Sequence, residues 1–209
     1  EVYKEDGTVA MNNSFEKAEA IGIKVAQTAL SSLADAKELG TSLKLSTVPV
    51  YLPISNPSFR LLALIGGLNR ATYWRGLPLW RLGTHLKSEV GVLTIGEFQI
   101  ALVPGELFPE LFYGGYLGKE EAAKPDIEHE PIIRDYMKGE INLVFGMAND
   151  ELGYIVPEND FIYGTTLGGR RTDRTGRSHY EETMSLGKET ARRLSEAILM
   201  AIDSLDMEG

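Results

Sequence analysis

Three short segments concentrate the side chains that can perform acid–base or metal chemistry. In the first, Val103–Glu106, a glutamate follows Pro-Gly where a predicted strand gives way to a predicted helix. Ligands of α/β folds commonly bind at such strand ends, and Gly105 allows the sharp turn that projects the next side chain into a crevice. A carboxylate there can bind a metal ion or transfer a proton. The alternative is that Glu106 is an ordinary first-turn residue favoured by the helix dipole.

The second segment, Asn149–Glu158, follows the apolar run Ile141–Met147, which has the length of a buried strand. Tyr154 lies in the middle of this segment. Its phenol can ligate a metal or donate a proton, and it can equally be a packed ring whose hydroxyl stays in water. Asp150 and Glu151 are either solvated or arranged to suit a cation.

The third segment is His179–Glu181, which directly precedes the last predicted helix. Tyr180 can pack near the start of that helix or donate a hydrogen bond to a substrate. The chain contains three histidines in all, so a metal site built within it depends on them or on carboxylates: His85, His129 and His179.

Composition excludes several classes of function. The net charge of −9 opposes binding to nucleic-acid phosphates. The absence of cysteine excludes disulfides, thiolate zinc sites and cysteine nucleophiles. The longest strongly apolar run, Leu61–Leu68, contains two glycines and is much shorter than the roughly 18 to 20 residues of a membrane helix. No signal peptide is recognisable, and the first residue is Glu1 rather than Met.

The first predicted element is a helix of roughly 25 residues. Asn13 and Glu16 suggest a capping box at its start, and Gly40 suits the left-handed position at its end. Apolar residues recur at steps of three and four and predict one buried stripe: Phe15, Ala18, Gly22, Val25, Ala29, Leu33 and Ala36.

The remaining pattern mixes strands with helices. Leu43–Ile54 reads as a strand interrupted by two prolines, and Ser88–Gly96 and Phe98–Val103 read as two strands joined by a tight turn. Other expectations are a helix near 106–112, a polar exposed stretch at 119–139, a strand at 141–147, a flexible loop at 164–178 and a final helix from about Glu181. This pattern predicts an α/β fold, with mixed sheets flanked by long helices.

Taken in order, the three chemical segments resemble the neutral, non-lysosomal ceramidase family. The family pattern places Pro-Gly-Glu after a strand, then an Asn-led segment containing Gly-Tyr and Pro-Glu, then Tyr-Glu before a long helix. The run Asn13–Glu16, which leads into a helix containing Gly22, is similar to the segment that follows the family's nucleophile region. The resemblance spans roughly Asn13–Ala201, which is most of the chain.

The resemblance implies a zinc-dependent hydrolase that cleaves the N-acyl amide of ceramide-like lipids. The family's zinc is held by two histidines, a glutamate and a tyrosine. By position, the glutamate falls on Glu106 and the tyrosine on Tyr154, and a second tyrosine that contacts the reacting amide falls on Tyr180. Zinc polarises the amide carbonyl, and a tyrosine hydroxyl can stabilise the developing oxyanion.

The chain departs from the family pattern at several points. The family's zinc histidines and the serine of its Gly-Asp-Val-Ser-type motif lie upstream of the matched region, and that motif does not occur here. We therefore expect residues 1–209 to be the carboxy-terminal portion of a ceramidase-like catalytic domain, with an upstream segment of the same polypeptide as its partner. Tyr154 and Tyr180 are also 26 residues apart, which exceeds the family spacing.

Two alternatives remain open at this point. The chain can be a non-catalytic domain that keeps the fold and binds a partner, or a carboxylate-based hydrolase that pairs Glu106 with His85 or His179. An arginine cluster and three aromatic residues bear on the first alternative. The arginines either bind a phosphate group or are solvated: Arg170, Arg171, Arg174 and Arg177. The aromatic residues either line a lipid entrance or pack in a core: Tyr73, Trp74 and Trp80.

Overall fold

The computed structural model of the chain describes residues 1–74, 77–78, 83–162 and 171–207. The chain divides into two compact units, residues 1–39 (unit 1) and residues 40–209 (unit 2). All three chemical segments identified in the sequence belong to unit 2.

Unit 1 contains one helix, α1 (Phe15–Ser32), which a single turn of 3-10 helix extends to Asp35. The Oγ atom of Ser14 accepts a hydrogen bond of 3.1 Å from the backbone N–H of Lys17 and so caps the helix. Asn13, the predicted cap, instead has a φ of 58° and precedes the helix. The helix is shorter than predicted and does not extend to Gly40.

The predicted buried stripe of α1 is wrong. Ala20 is the buried residue of this helix, whereas Phe15 is 95% exposed and Val25 and Leu33 are also exposed. Helical periodicity specifies where apolar side chains lie around a helix, but it does not supply the surface that covers them.

Unit 2 is an α/β structure, as the sequence pattern predicted. Its described strands are β1 (Leu43–Pro53), β2 (Thr72–Trp74), β3 (Leu77–Pro78), β4 (His85–Ile95), β5 (Phe98–Leu102), β6 (Glu106–Leu107), β7 (Ile141–Phe145), β8 (Tyr154–Ile155), β9 (Arg171–Thr172) and β10 (Ser178–His179). Its described α-helices are α2 (Pro57–Ile65), α3 (Pro109–Tyr113), α4 (Ile133–Tyr136) and α5 (Thr190–Met207).

The main sheet is built around β4. Strand β1 pairs with β4 along its whole length, and β5 pairs with the second half of β4 through the turn at Gly96; both pairs are antiparallel. Strand β7 then adds to β5 in parallel, and β2 and β3 extend the other end. The strands predicted at Leu43–Ile54, Ser88–Gly96 and Phe98–Val103 are confirmed. Because β5 and β7 are parallel, the segments that follow them leave the sheet at the same edge.

Helix α5 covers the sheet by packing on β1 and β4. Its buried face carries small and branched residues: Ala191, Leu194, Ala197, Ile198, Ala201, Ile202 and Leu205. These residues recur at the helical spacing predicted from the sequence, and they join the buried side chains of the sheet in one core. The helix begins at Thr190 rather than near Glu181, because residues 181–184 form a separate 3-10 turn.

Other predicted boundaries shift. Glu106 begins the short strand β6, and the expected helix at 106–112 is limited to Pro109–Tyr113. The stretch at 119–139 is not simply exposed, because Ala122, Glu130 and Ile133 are buried. Part of the loop predicted at 164–178 is the β9–β10 hairpin, and residues 164–170 lie outside the described residues. In the part of the chain described, no helix combines the length and apolar character needed to cross a bilayer.

Candidate functional site

The segments that follow β5 and β7 meet in a second, two-stranded parallel sheet made of β6 and β8. Glu106 is the register partner of Tyr154 in this pair. The backbone N–H of Glu106 donates to the carbonyl oxygen of Gly153 at 3.0 Å, and that of Phe108 donates to Ile155 at 3.2 Å. The fold therefore brings the carboxylate and the phenol predicted from the sequence to adjacent positions on two strands.

Two glycines make this close approach possible. A Cβ atom on Gly105 would lie 2.6 Å from the carbonyl oxygen of Gly153. Gly153 has a φ of 78°, and a Cβ there would collide with the carbonyl oxygen of Met184. Each glycine directly precedes a candidate ligand, Glu106 or Tyr154, and Gly153 also contacts the turn that follows Tyr180. The glycines thus fit three chain segments together without intervening side chains.

Tyr180 joins the same site. Its hydroxyl lies 3.4 Å from the Tyr154 hydroxyl, and the two rings pack edge to face with centroids 5.8 Å apart. The hydrogen bond with Tyr180, together with partial burial and the nearby Glu106 carboxylate, raises the pKa of Tyr154 to about 12. Glu106 and Tyr180 are exposed, and Tyr154 is half-buried.

An ionic network that is largely buried directly precedes Tyr180 along the chain. The neighbouring residue His179 lies 2.7 Å from a Glu182 oxygen through Nδ1 and 3.2 Å from an Asp173 oxygen through Nε2. Arg177 pairs with both Asp160 and Asp173. Burial acts to raise the pKa of Asp173, but hydrogen bonds from Thr175, His179 and Arg177 outweigh it and hold that pKa low.

Asn56, which precedes α2, binds the turn that follows Tyr180. The Nδ2 atom of Asn56 donates to the carbonyl oxygens of Glu182, Thr183 and Ser185, at 3.2, 3.1 and 2.8 Å. Its Oδ1 accepts from the first turn of α2 at Ser58, 2.9 Å away. One buried amide therefore ties the turn after Tyr180 to the start of α2.

The donor set at Glu106 is incomplete for zinc. A structural or catalytic zinc site takes three or four protein ligands, usually including histidine. Among the described residues, Glu106 belongs to no cluster of three or more His, Asp or Glu ligand atoms; the clusters found are Asp160–Asp173–His179 and His179–Glu181–Glu182. Glu106 and Tyr154 are suitable oxygen ligands, and they fit a zinc site to which further ligands are added.

The remaining candidates of the sequence have structural partners. Asp150 is half-buried and already paired, because it accepts two hydrogen bonds from Arg70 at 2.8 and 2.7 Å and one from Ser88. Burial opposes ionisation of Asp150, but these hydrogen bonds outweigh it and lower its pKa. Glu151 accepts from the backbone N–H of Gly153 at 2.9 Å.

The members of the arginine cluster and the aromatic residues lie in different surroundings. Arg174 donates to the carbonyl oxygens of Glu120 and Ala122, and Arg177 belongs to the ionic network. Tyr73 packs on Tyr51, and Trp74 is 46% exposed. Arg170 and Trp80 lie outside the described residues.

One further feature of unit 2 has no counterpart in the sequence motifs. A cavity of about 510 Å³ is lined by residues that include Glu110, Glu130, His129 and Asn159. Glu130 is buried, which raises the pKa of its carboxyl. Within the described chain, Glu130 Oε2, His129 Nε2 and Asn159 Oδ1 are buried without a hydrogen-bond partner. His129 and Glu130 come from the stretch 119–139, which was predicted to be polar and exposed, and no spacing pattern there indicated a cavity.

Comparisons with known proteins identify a structural neighbour. No model of a known protein family matches the chain, and neither does a curated protein sequence. Among solved structures, the chain is similar to the neutral ceramidase from Pseudomonas aeruginosa, with a TM-score of 0.56 and 13% sequence identity. The similarity covers 99% of this chain and 35% of the ceramidase chain. It shows that the chain shares the fold of part of that enzyme, and the chain spans about a third of the enzyme's length.

Proposed function

We propose that this chain is part of a zinc-dependent hydrolase that cleaves N-acyl amides of ceramide-like lipids. The observation that supports the proposal is the register pair of Glu106 and Tyr154 on β6 and β8, because residues in register on neighbouring strands project their side chains from the same face of the pair. The fold neighbour, a protein named as a neutral ceramidase, supports the same reaction class.

In this proposal, Glu106 and Tyr154 are metal ligands. Bound zinc would supply Lewis-acid polarisation of the scissile carbonyl. Tyr154 must lose its proton to bind as a phenolate, and its raised pKa of about 12 opposes that loss. Because the metal competes with this proton, zinc affinity is expected to rise with pH.

Tyr180 has the role of a hydrogen-bond donor to the reacting amide. Its hydroxyl is exposed beside that of Tyr154, where it can reach a group bound at the same point. A donor that is already oriented towards the developing oxyanion stabilises the transition state without reorganisation during the reaction.

The proposal requires further groups from outside residues 1–209. By resemblance, these are two zinc histidines and a serine in an upstream segment of the same polypeptide, and residues 1–209 are the carboxy-terminal portion of the catalytic domain. Glu106 and Tyr154 then supply the oxygen half of the donor set. The alternative of a partner-binding domain that retains the fold predicts no stoichiometric zinc.

The direct test is metal analysis of the natural gene product that contains this chain. We expect one zinc ion per polypeptide in the unchanged protein, and a loss of most of that zinc in Glu106→Gln and Tyr154→Phe. Hydrolysis of a fluorescent N-acyl sphingosine should fall in the same variants by more than the roughly 10- to 100-fold that is typical when an outer-shell partner of a metal ligand is changed.

Matched controls lie on elements outside the site. Glu97→Gln changes an exposed glutamate in the turn before β5, and Tyr136→Phe changes an exposed tyrosine in α4. Both should keep their zinc and activity. Natural protein that is free of zinc and inactive on N-acyl lipids would contradict the proposal and favour partner binding.

A further inference from the structure

His179 lies in a position that requires it to carry a charge. Its side chain is 7% exposed, and each ring nitrogen faces a carboxylate oxygen, from Glu182 at 2.7 Å and from Asp173 at 3.2 Å. Ionised carboxylates only accept hydrogen bonds, whereas a neutral imidazole has one donor and one acceptor. Both contacts are satisfied together only when His179 is an imidazolium.

The groups around His179 favour this charge. Asp173 faces it from the β9–β10 turn, Glu181 and Glu182 face it from the following 3-10 turn, and Asp160 lies in the same cluster. Arg177 is paired with Asp160 and Asp173, and Lys124 is a second cation near Glu182. Burial alone would lower the pKa of His179, but Asp173 and Glu182 outweigh burial and raise it. Because a guanidinium already occupies the space between the aspartates, the cluster is an ionic network rather than an open metal site.

The two carboxylates belong to different structural elements on either side of Tyr180. Asp173 also accepts hydrogen bonds from the backbone N–H groups of Thr175 and Arg177, at 2.8 and 2.9 Å, and so fixes the turn of the hairpin. Glu182 also accepts from the backbone N–H of Ile162 at 3.1 Å. The ring of His179 therefore connects the end of the hairpin to the turn that follows Tyr180.

We propose that protonated His179 is the positioning residue that holds Tyr180 beside Tyr154, so that the candidate site is assembled only while His179 carries its charge. The importance of this contact for catalysis rests on the proposed function, but the positioning itself does not. No metal and no substrate is needed for His179 to act on Tyr180.

The sign of the pH dependence follows from the raised pKa of His179. The imidazolium contributes its full stabilisation below the ordinary histidine pKa of 6.5. That contribution is lost as pH rises through the higher pKa of the folded state, because one of the two hydrogen bonds loses its proton. Tyr180 should therefore leave its position as pH rises above 6.5 and through the raised pKa of His179.

The test is fluorine NMR of the 209-residue chain labelled with 3-fluorotyrosine, with the Tyr180 resonance assigned by Tyr180→Phe. We expect the Tyr180 resonance to shift with pH at the same midpoint as the His179 ring protons, and that midpoint to lie above 6.5. In His179→Gln the resonance should occupy its high-pH position at every pH. His129→Gln is the matched control and should leave the titration of Tyr180 unchanged.

A Tyr180 resonance that does not move while the His179 ring titrates would overturn the proposal, as would a His179 midpoint at or below 6.5. The titration of the unchanged chain decides the question even if His179→Gln does not fold. Because this readout involves neither zinc nor hydrolysis, its failure is distinguishable from failure of the proposed function. Absence of zinc would leave the fluorine result intact.

Discussion

The candidate site and the ionic network behind it are neighbours along the chain, but they are built in different ways. The site presents oxygen atoms to accessible space, and Tyr154 and Tyr180 share one long contact of 3.4 Å. In the network, the side chains of Asp160 and Asp173 are 3% and 0% exposed and share Arg177. The groups proposed to meet the substrate are accessible, whereas the rigidity that orients them comes from residues that are buried out of its reach.

Because of this difference, we expect the supporting residues to determine the free energy of unfolding and the site residues to determine metal binding. Changes in the supporting residues should lower the free energy of unfolding, because they leave buried polar groups unpaired or force the backbone apart. Changes in the site oxygens should leave that free energy almost unchanged while removing the metal. The following predictions test this separation, from the largest expected effect on stability to the smallest.

The largest effect is expected for Gly153→Ala. Its Cβ would collide with the Met184 carbonyl oxygen, at a residue whose φ is 78°. Strained φ and overpacking together should lower the free energy of unfolding by more than about 3 kcal/mol in urea denaturation. Gly115→Ala is the control, because Gly115 has a φ of 77° with nothing within 4 Å of an added Cβ. It should cost only about 1–2 kcal/mol, and equal losses at the two positions would mean that the Gly153–Met184 contact has no importance.

Removal of the shared cation should have the next largest effect. Arg177→Gln leaves Asp160 and Asp173 buried without their guanidinium. Breaking a fully buried pair costs about 3–5 kcal/mol, and because the Arg177 side chain is 39% exposed we expect about 2–3 kcal/mol. Arg193→Gln breaks an exposed pair with Glu189 one helical turn away and should cost about 0.3–0.5 kcal/mol. Similar losses in the two variants would show that the network is no more important than a surface pair.

The third largest loss of stability is expected for changes at Asn56. Asn56→Ala removes the amide donor to three carbonyl oxygens and the cap of α2, so we expect a loss of about 2 kcal/mol in chemical denaturation. Asn56→Asp keeps the acceptor that caps α2 but removes the donor. If the aspartate variant were as stable as the unchanged chain, the contacts to the turn after Tyr180 would contribute nothing.

The smallest effect on stability is expected at the site itself. Tyr154→Phe should keep the melting temperature within about 2 °C, because it removes one phenol that is accessible to water. The same variant should lose its zinc in the natural gene product. Severe destabilisation of this variant would show that Tyr154 is a structural residue, and the contrast between site and support would fail.

The sequence related Glu106 to Tyr154 through the family resemblance, and their binding to one metal stays a prediction. Their pairing in the fold follows from the parallel arrangement of β5 and β7, because the segments after these two strands leave the sheet at the same edge and form the β6–β8 pair. The network was missed, because β9 and β10 have two residues each and too short a pattern to identify. The apolar stripe of α1 was wrongly predicted as buried although its helical period is clear. Burial also requires a surface that covers the stripe, and periodicity does not specify such a surface.

The most direct test of the account is an anomalous difference map, recorded at the zinc absorption edge, from crystals of the natural gene product. The account predicts one strong peak that contacts both a Glu106 carboxylate oxygen and the Tyr154 phenol oxygen, at about 2.0–2.2 Å from the carboxylate. A zinc peak bound elsewhere, or Glu106 and Tyr154 oxygens directed away from a common point in zinc-loaded crystals, would contradict it.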